Sequence, residues 1–470
     1  MQQEHTQNAS VRDHSDPHAQ LILEGHPWRV VWHMAWPAVA VMMALGLNMV
    51  MDAVYIGQLI GEQALAGAVL AYPITQITLG LGSLAGIGGG VALSIAIGRG
   101  DQDTVRRLPG TALAISAVLA LLYALAGGLF AETLVFGMGA REALIDIAAE
   151  YLRASALGGI GAIAGVTLNM LLRGEGKMKL AAGYMGIGLV ANIILTPVFI
   201  VVFDWGVAGA AWATNIGNAI GGVLVWRRYV RGHASYPVDA RFFGLPRRLT
   251  ARIVRLGTPA MIMSSMGLVQ AIVVFNVLTR IGDEHDIAFF GAAWRLLLFI
   301  ITPLFGLMRA FQPVAGMNYG AGQWQRVQRH YWTFVAAGAL MIVPIWGLMN
   351  LFPEPVLGLM LPEASFSATD LHHFRVLMLV LPVLPIVFIA LALLPAIEQP
   401  GKATTVSVSR QLLLYTPVML VLPQLIGVGG VYYGSTAIDF LCALWLLLIV
   451  LTTFSGQRAN SRRWSQSLRY

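Results

Sequence analysis

The chain has 470 residues, of which 11% are charged and 57% hydrophobic, with a mean hydropathy of +0.71. Soluble proteins carry about 25% charged residues, so this composition excludes a soluble multidomain protein and requires a polytopic membrane protein. The single cysteine, Cys442, excludes a disulfide framework and a cysteine-rich metal site, and the net charge of +7 raises nucleic acid as a partner only until the charges are located.

Residues 1–27 are polar, with His5, His14, His18 and His26 irregularly spaced among Asp and Gln. They lack the basic start, apolar middle and small-residue cleavage site of a signal peptide and read as a retained tail. After Trp28, apolar stretches long enough for the roughly 20 residues of a spanning helix follow one another. They lie near 31–57, 63–97, 105–131, 143–172, 178–203 and 207–230, then 252–280, 286–318, 327–351, 367–396, 403–425 and 429–454. Twelve transmembrane helices are expected. The runs do not strictly alternate, which disfavours a β-barrel.

The basic residues test this layout. With a cytoplasmic N-terminus, 23 of the 30 Lys and Arg fall on the cytoplasmic side, most densely between Arg227 and Arg255, whereas the opposite loops hold only Arg141 and Arg280. That asymmetry places both termini inside. The basic charge is therefore a topology signal, and no nucleic-acid partner is expected.

The chain also aligns with itself at an offset of about 222 residues. Pro37 falls on Pro259, and Gly98-Arg99-Gly100 on Gly320-Ala321-Gly322. Arg153 falls on Arg375, and Thr196-Pro197 on Thr416-Pro417 after a small drift. An offset of six helices inserts both halves with the same orientation, related by an axis along the membrane normal with a central cavity between them. The expected divisions are a cytoplasmic tail at 1–27, an N-lobe at 28–231 and a basic linker at 232–251. A C-lobe at 252–454 and a basic tail at 455–470 complete the chain. This architecture suggests a transporter in which the lobes rock about a site near the midplane.

Nucleotide-driven and enzymatic alternatives lack their signatures. Gly176-Lys177 is followed by Met178 and Gly401-Lys402 by Ala403, so no phosphate-binding loop is present, and no H-E-x-x-H or G-x-S-x-G motif occurs. An ion-coupled pump then needs an ionisable group within its helices. Asp52, in the outer part of the first helix, and Asp439, deep in the twelfth, are the candidates. For Asp52 the bland alternative is an interfacial acid reaching water, and for Asp439 a protonated or hydrogen-bonded structural acid. Asn48 shares a helical face with Asp52; Asn192 with Thr196 and Thr214 with Asn218 form comparable pairs on the fifth and sixth helices. The repeat positions of Asp52 and Asn192 are Val274 and Leu412, so the cluster belongs to one lobe. Polar residues that merely link helices are its alternative reading.

At these residues the sequence resembles the multidrug and toxic compound extrusion (MATE) family over nearly the whole chain. The similarity rests on Asp52-Ala53-Val54-Tyr55-Ile56-Gly57, on Leu172-Arg173-Gly174-Glu175-Gly176-Lys177 and on Asn192 to Pro197. Gly206 to Thr214 and the string Gln312-Pro313-Val314-Ala315-Gly316-Met317-Asn318-Tyr319-Gly320-Ala321 complete it. The resemblance implies a bacterial inner-membrane antiporter for cationic or amphiphilic drugs, built as a V-shaped pair of six-helix lobes, monomeric and without a cofactor or bound metal. Its N-lobe coupling site carries over to Asp52, Asn192 and Thr214. The acid that the family places before the fifth-helix proline is here Thr196, and the aromatic before the first-helix acid is Asn48. One carboxylate where the pattern has two fits proton coupling, with sodium as the alternative. Protonation of Asp52 is expected to alter its hydrogen bonds to Asn192 and Thr214 and to bend the first helix at Pro37, Gly46 or Gly57. Met42, Met43, Met261, Met263 and Met266 are candidates for the drug surface, against a plain packing role. Gln270, Asn276 and Arg295 are candidates for the C-lobe wall. Arg295 and Arg309 are the arginines placed deep in the spans. A flippase for lipid-linked saccharides, from the same broad superfamily, is the rival reading.

Overall fold

The computed structural model describes residues 16–138, 141–231, 242–358 and 366–467. Among the described residues the regular structure is entirely helical. A short helix α1 (Pro17–Glu24) precedes α2 (Pro27–Leu59), α3 (Glu62–Arg99), α4 (Gln102–Leu129), the short α5 (Ala131–Gly137) and α6 (Ala143–Gly174). Next come α7 (Met178–Pro197), which continues as a π-helical turn Val198–Val202, and α8 (Gly206–Val230). The second half holds α9 (Arg247–Ile281), α10 (Glu284–Gly320), α11 (Trp324–Leu351) and the short α12 (Pro353–Gly358). Helices α13 (Ala368–Met378) and α14 (Leu384–Ala396) form one span. So do α15 (Pro400–Val408), the π-helical turn Ser409–Tyr415 and α16 (Thr416–Ile426). Helix α17 (Gly429–Ser467) ends the described chain.

Eleven spans among the described residues are long and apolar enough to cross a membrane. Helix α8, the remaining expected span, is 25 residues long, but Thr214, Asn215, Asn218 and its glycines dilute its apolar character. Most of the expected boundaries hold to within a few residues because capping chemistry marks them. Asp101 accepts from the Thr104 amide at the start of α4, and Asp283 with Asp286 and Ser367 with Asp370 form capping boxes on α10 and α13. Those acids are thereby engaged at helix ends. Part of the stretch expected as a tail is ordered instead: Ala19, Ile22 and Leu23 of α1 are buried, and Asn318 and Arg326 bond the Ile22 carbonyl. Residues 1–15 and the first half of the 232–251 linker, 232–241, lie outside the described residues.

In the first half α3 packs on α6, α6 on α4 and α8, α8 on α7, and α7 on α2. In the second, α10 packs on α11 and α14, α9 on α15 and α16, and α17 on α14 and α16. The halves meet where α3 lies along α9 and α10 and where α2 lies along α10. This seam is backbone against backbone. A Cβ on Gly257 would collide with the Leu84 carbonyl, one on Gly98 with the Met317 carbonyl, and one on Gly306 would approach the Val39 Cα to 2.7 Å. Residues larger than glycine would hold the helices apart, as in other close helix crossings in membranes.

The repeat is visible in side chains as well as in helix order. Arg153 on α6 binds Glu132 just beyond the end of α4, and its repeat partner Arg375 on α13 donates to the Asn350 carbonyl at the end of α11. Helices α3 and α10 are closed by left-handed Gly100 and Gly322, and α6 by left-handed Gly176. At the repeat position of Gly176, after α14, stands Glu398 with φ of 58°. A non-glycine residue there is strained by roughly 1 kcal/mol. The carboxylate offsets that cost by pairing with Arg99 on α3 of the first half and with Arg252 on α9 at 2.8 Å. Tyr319 donates to it at 3.5 Å. Burial pushes the carboxyl up, but the hydrogen bonds and charges of Arg99 and Arg252 outweigh this and hold Glu398 below the ordinary carboxylate range.

A depressed carboxyl contributes stability above its unfolded value and loses that contribution as pH falls through the lower folded value. Glu398→Gln is therefore expected to lower the thermal midpoint at neutral pH. The gap from wild type should close on acidification into the carboxylate range, as read from melting curves over a pH series.

Candidate cation-coupling site

Asp52 lies seven residues before the end of α2, about 10 Å from it at the helical rise. One turn earlier, Asn48 donates from Nδ2 to Asp52 Oδ2 at 3.2 Å. Asn48 is buried and Asp52 half-buried, and the Oδ1 atoms of both are buried without a protein hydrogen-bond partner. One turn further out, Tyr55 and Ile56 pack with Ala64, Ile200 and Val207 in a small apolar cluster. The Tyr151 phenol on α6 lies within electrostatic reach of Asp52.

On α7, Asn192 donates from Nδ2 to Thr196 Oγ1 at 3.3 Å and to Thr214 Oγ1 on α8 at 3.1 Å. The sequence pairing of the fifth and sixth helices is thus a direct contact. Each threonine hydroxyl donates in turn to a carbonyl one turn earlier, Thr196 to Asn192 and Thr214 to Ala210. Asn192 Oδ1 is left as a third buried acceptor without a partner. The expected hydrogen bonds from Asp52 to Asn192 and Thr214 are not formed among the described residues. The reason is donor supply: the Asn192 amide is spent on two hydroxyls, and both hydroxyls are spent on backbone carbonyls. Helix α2 packs along α7, so the pairs lie on adjacent helices but remain separate networks. Asn218 makes no hydrogen bond with Thr214. Its neighbour Asn215 ties α8 to α6 instead, donating to the Ala154 and Ser155 carbonyls at 3.4 and 3.1 Å.

Asp52 forms no ion pair among the described residues, and no group of three or more His, Cys, Asp or Glu suited to a metal ion occurs among them. A half-buried carboxylate with one neutral donor and buried acceptors beside it suits a proton, or a small cation that those oxygens would share.

The second half holds a polar network of its own, against the expectation of a one-lobe cluster. Arg410, in the π-helical turn, donates from Nε and Nη2 to Asp439 Oδ1 at 2.8 and 2.6 Å and from Nη1 to Gln270 Oε1 at 3.0 Å. Its guanidinium stands 5.5 Å from the Tyr415 ring, and the Tyr415 hydroxyl meets Ser435 at 2.9 Å. Asp439 is therefore committed to a charged partner, and Gln270 is bound to Arg410 rather than standing free on a cavity wall. Arg410 is also a third arginine deep in the spans, beside Arg295 and Arg309. Of the other drug-surface candidates, Asn276 is exposed and donates to the Ile272 carbonyl. Arg295 is exposed without an ion pair among the described residues. Met42, Met261 and Met263 are half-buried, with Met261 reaching Gly80 across the seam. Helix α2 runs unbroken through Pro37, Gly46 and Gly57, and Gly46 faces Thr302 on α10.

The sequence profile of the family MatE matches residues 37–198 and again 259–421, one copy per half. The chain belongs to the MatE family. It is 23% identical over 423 residues to the multidrug export protein MepA of Staphylococcus aureus, covering 90% of this chain and 93% of that protein. With the MepA of Staphylococcus saprophyticus it shares 24% over 401 residues, 85% and 88% of the two chains. Among solved structures it is similar to MATE in the bent conformation, with a TM-score of 0.89, 22% identity and coverage of 95% and 99%. An outward-facing multidrug resistance MATE transporter superposes with a TM-score of 0.87, 23% identity and coverage of 94% and 99%. A MOP superfamily transporter from Pyrococcus furiosus, described as having a binding pocket of reverse polarity, gives 0.86 with 23% identity and coverage of 94% and 99%.

The structure gives physical reasons for the MatE-like strings. In Gln312 to Ala321, Gly316 and Gly320 let α10 press on Ser94 and Ile95 of α3, Asn318 holds α1, and Tyr319 reaches Glu398. In Leu172 to Lys177, Gly176 closes α6 while buried Glu175 binds Lys177 and Tyr229.

The two acids should respond differently to neutralisation. Asp439→Asn leaves Arg410 three-quarters buried with no counter-charge and is expected to destabilise the protein by about 1–3 kcal/mol. Asp52→Asn keeps an acceptor facing Asn48 and is expected to change stability by under about 0.5 kcal/mol. Melting curves of the two variants against wild type check this.

Proposed function

We propose that this MatE protein is an ion-gradient-driven efflux antiporter for cationic and amphiphilic small molecules, with Asp52 as the acid that couples proton entry to export. The observation that carries the reading is the unpaired, half-buried carboxylate of Asp52 on α2, the helix that packs both on α7 of its own half and on α10 of the other. The MepA relatives are multidrug export proteins. In this reading all twelve helices span a bacterial inner membrane, with both termini cytoplasmic, as two lobes of six in a monomer. The region around Met42, Met261, Asn276 and Arg295 takes the amphiphile.

The mechanism follows from charge. An ionised Asp52 attracts a cation and favours a hydrated surrounding, whereas protonation makes it nearly neutral to burial. A protonated Asp52 also gains a donor, which the unpartnered Asn48 and Asn192 oxygens can accept. The gain of that bond draws α2 towards α7, and Pro37, Gly46 and Gly57 accommodate the change along the helix. Because α2 lies on the seam with α10, its shift alters the fit between the lobes. Proton is favoured over sodium because Thr196 stands where a second acid would bring the charge that a bare cation needs.

The flippase reading gains a third intramembrane arginine in Arg410, but Asp439 neutralises it. Proteoliposomes carrying a fluorescent organic cation separate these possibilities. A proton gradient is expected to drive its movement, a sodium gradient at constant pH is not, and Asp52→Asn is expected to lose at least about tenfold of the driven rate, about 1.4 kcal/mol in the coupled step. Undiminished proton-driven movement in Asp52→Asn would sink the reading.

A further inference from the structure

Arg173 on α6 and Arg309 on α10 face one small cavity at the seam between the halves, together with Gln312 and Gly90. Arg173 is 2% exposed. Its Nε donates to Asn169 Oδ1 at 2.9 Å and its Nη2 reaches only the weakly accepting Met185 sulfur at 3.2 Å. Arg173 Nη1 and Arg309 Nε are buried with no hydrogen-bond partner. Neither arginine forms an ion pair among the described residues, and each lies in the electrostatic range of the other. The acid nearest in sequence to Arg173, buried Glu175, is bound by Lys177 and Tyr229. A buried guanidinium beside a second, half-buried one, both with donors unsatisfied, is costly unless something of opposite charge lies between them.

The place of the cavity in the repeat matters. Ile87 and Arg309 occupy equivalent positions on α3 and α10, as do Gly90 and Gln312, and all four line the cavity. It therefore sits on the axis relating the two halves, with one guanidinium contributed by each. The space between these side chains suits about one water-sized body, too small for a lipid headgroup or a drug.

We propose that Arg173, Arg309 and Gln312 form a binding site for a single small inorganic anion, chloride under ordinary conditions, that ties the two halves together across the seam. The anion accepts from Arg173 Nη1 and Arg309 Nε and screens the two guanidinium groups from each other. Separation of α6, together with α3, from α10 pulls the groups apart and dismantles the site, so the anion stabilises the closed seam and is released when it opens.

Bromide replaces chloride in size and charge and is visible by anomalous scattering. In crystals of the full-length protein grown with bromide, an anomalous peak is expected between Arg173 and Arg309. In detergent at matched ionic strength, the melting midpoint is expected to be about 2 °C higher in chloride than in gluconate, an anion too large for the cavity, and the rise should saturate with chloride. Arg309→Gln should abolish that difference, and Arg309→Lys should keep part of it. The bromide map on the wild-type protein decides the matter should both variants fail to fold. A cavity without a bromide peak would overturn the proposal, as would a chloride effect of undiminished size in folded Arg309→Gln.

Discussion

Two bundles of helices can share a seam only where their backbones approach closely, and here that approach depends on glycine. Gly98 and Gly257 let α3 lie on α10 and α9 without intervening side chains, and Gly306 does the same for α10 on α2. The contacts involving Gly98 and Gly320 fall at the end of the helices where Arg99, Arg252 and Glu398 gather. Lipid tails supply no hydrophobic drive for helices to associate, so packing and polar ties decide the arrangement. The seam has both: glycine contacts along its length, and an ion pair from Arg99 to Glu398 across its mouth.

Within that frame the two halves use their buried polar groups differently. In the second half Arg410 and Asp439 neutralise each other, with Gln270 on the remaining donor. Such a network holds helices in place, with its acid already bound to a cation. In the first half the Asn192 amide and the Thr196 and Thr214 hydroxyls spend their donors on one another and on nearby carbonyls, the Asn192 oxygen is left without a partner, and Asp52 has only the Asn48 amide. The same fold thus carries a closed polar network in one copy and an open carboxylate in the other. An exchange reaction needs such an inequality, since a group already fully paired has nothing to trade.

Much of the fold was legible in the chain. Apolar runs of spanning length and the recurrence of Pro37 as Pro259 marked the helices and the repeat, which the family profile then found twice. Asp52 stood out because acids inside helices are scarce, and Asn192 and Thr214 because each begins a polar i,i+4 pair within an apolar helix and matches the family's pattern. What escaped was pairing over long sequence distance. Arg410, Asp439 and Gln270 lie on three different helices, and no local pattern links them. Glu398 was hidden for a different reason: its role comes from standing where the first half has Gly176, at a helix end that only the folded chain brings beside Arg99. The absence of a bond from Asp52 to Asn192 was equally unreadable, because it depends on which acceptor each amide hydrogen has already chosen.

The central claim is that proton and cation compete through Asp52, and thermodynamic linkage makes that measurable without a membrane. Purified protein in weakly buffered detergent solution is titrated with a fluorescent organic cation while the pH of the solution is recorded. Wild type is expected to release up to about one proton for each cation bound, and Asp52→Asn is expected to bind the cation with no release. Cation binding by the wild type without proton release, or release of the same size from Asp52→Asn, would contradict the account.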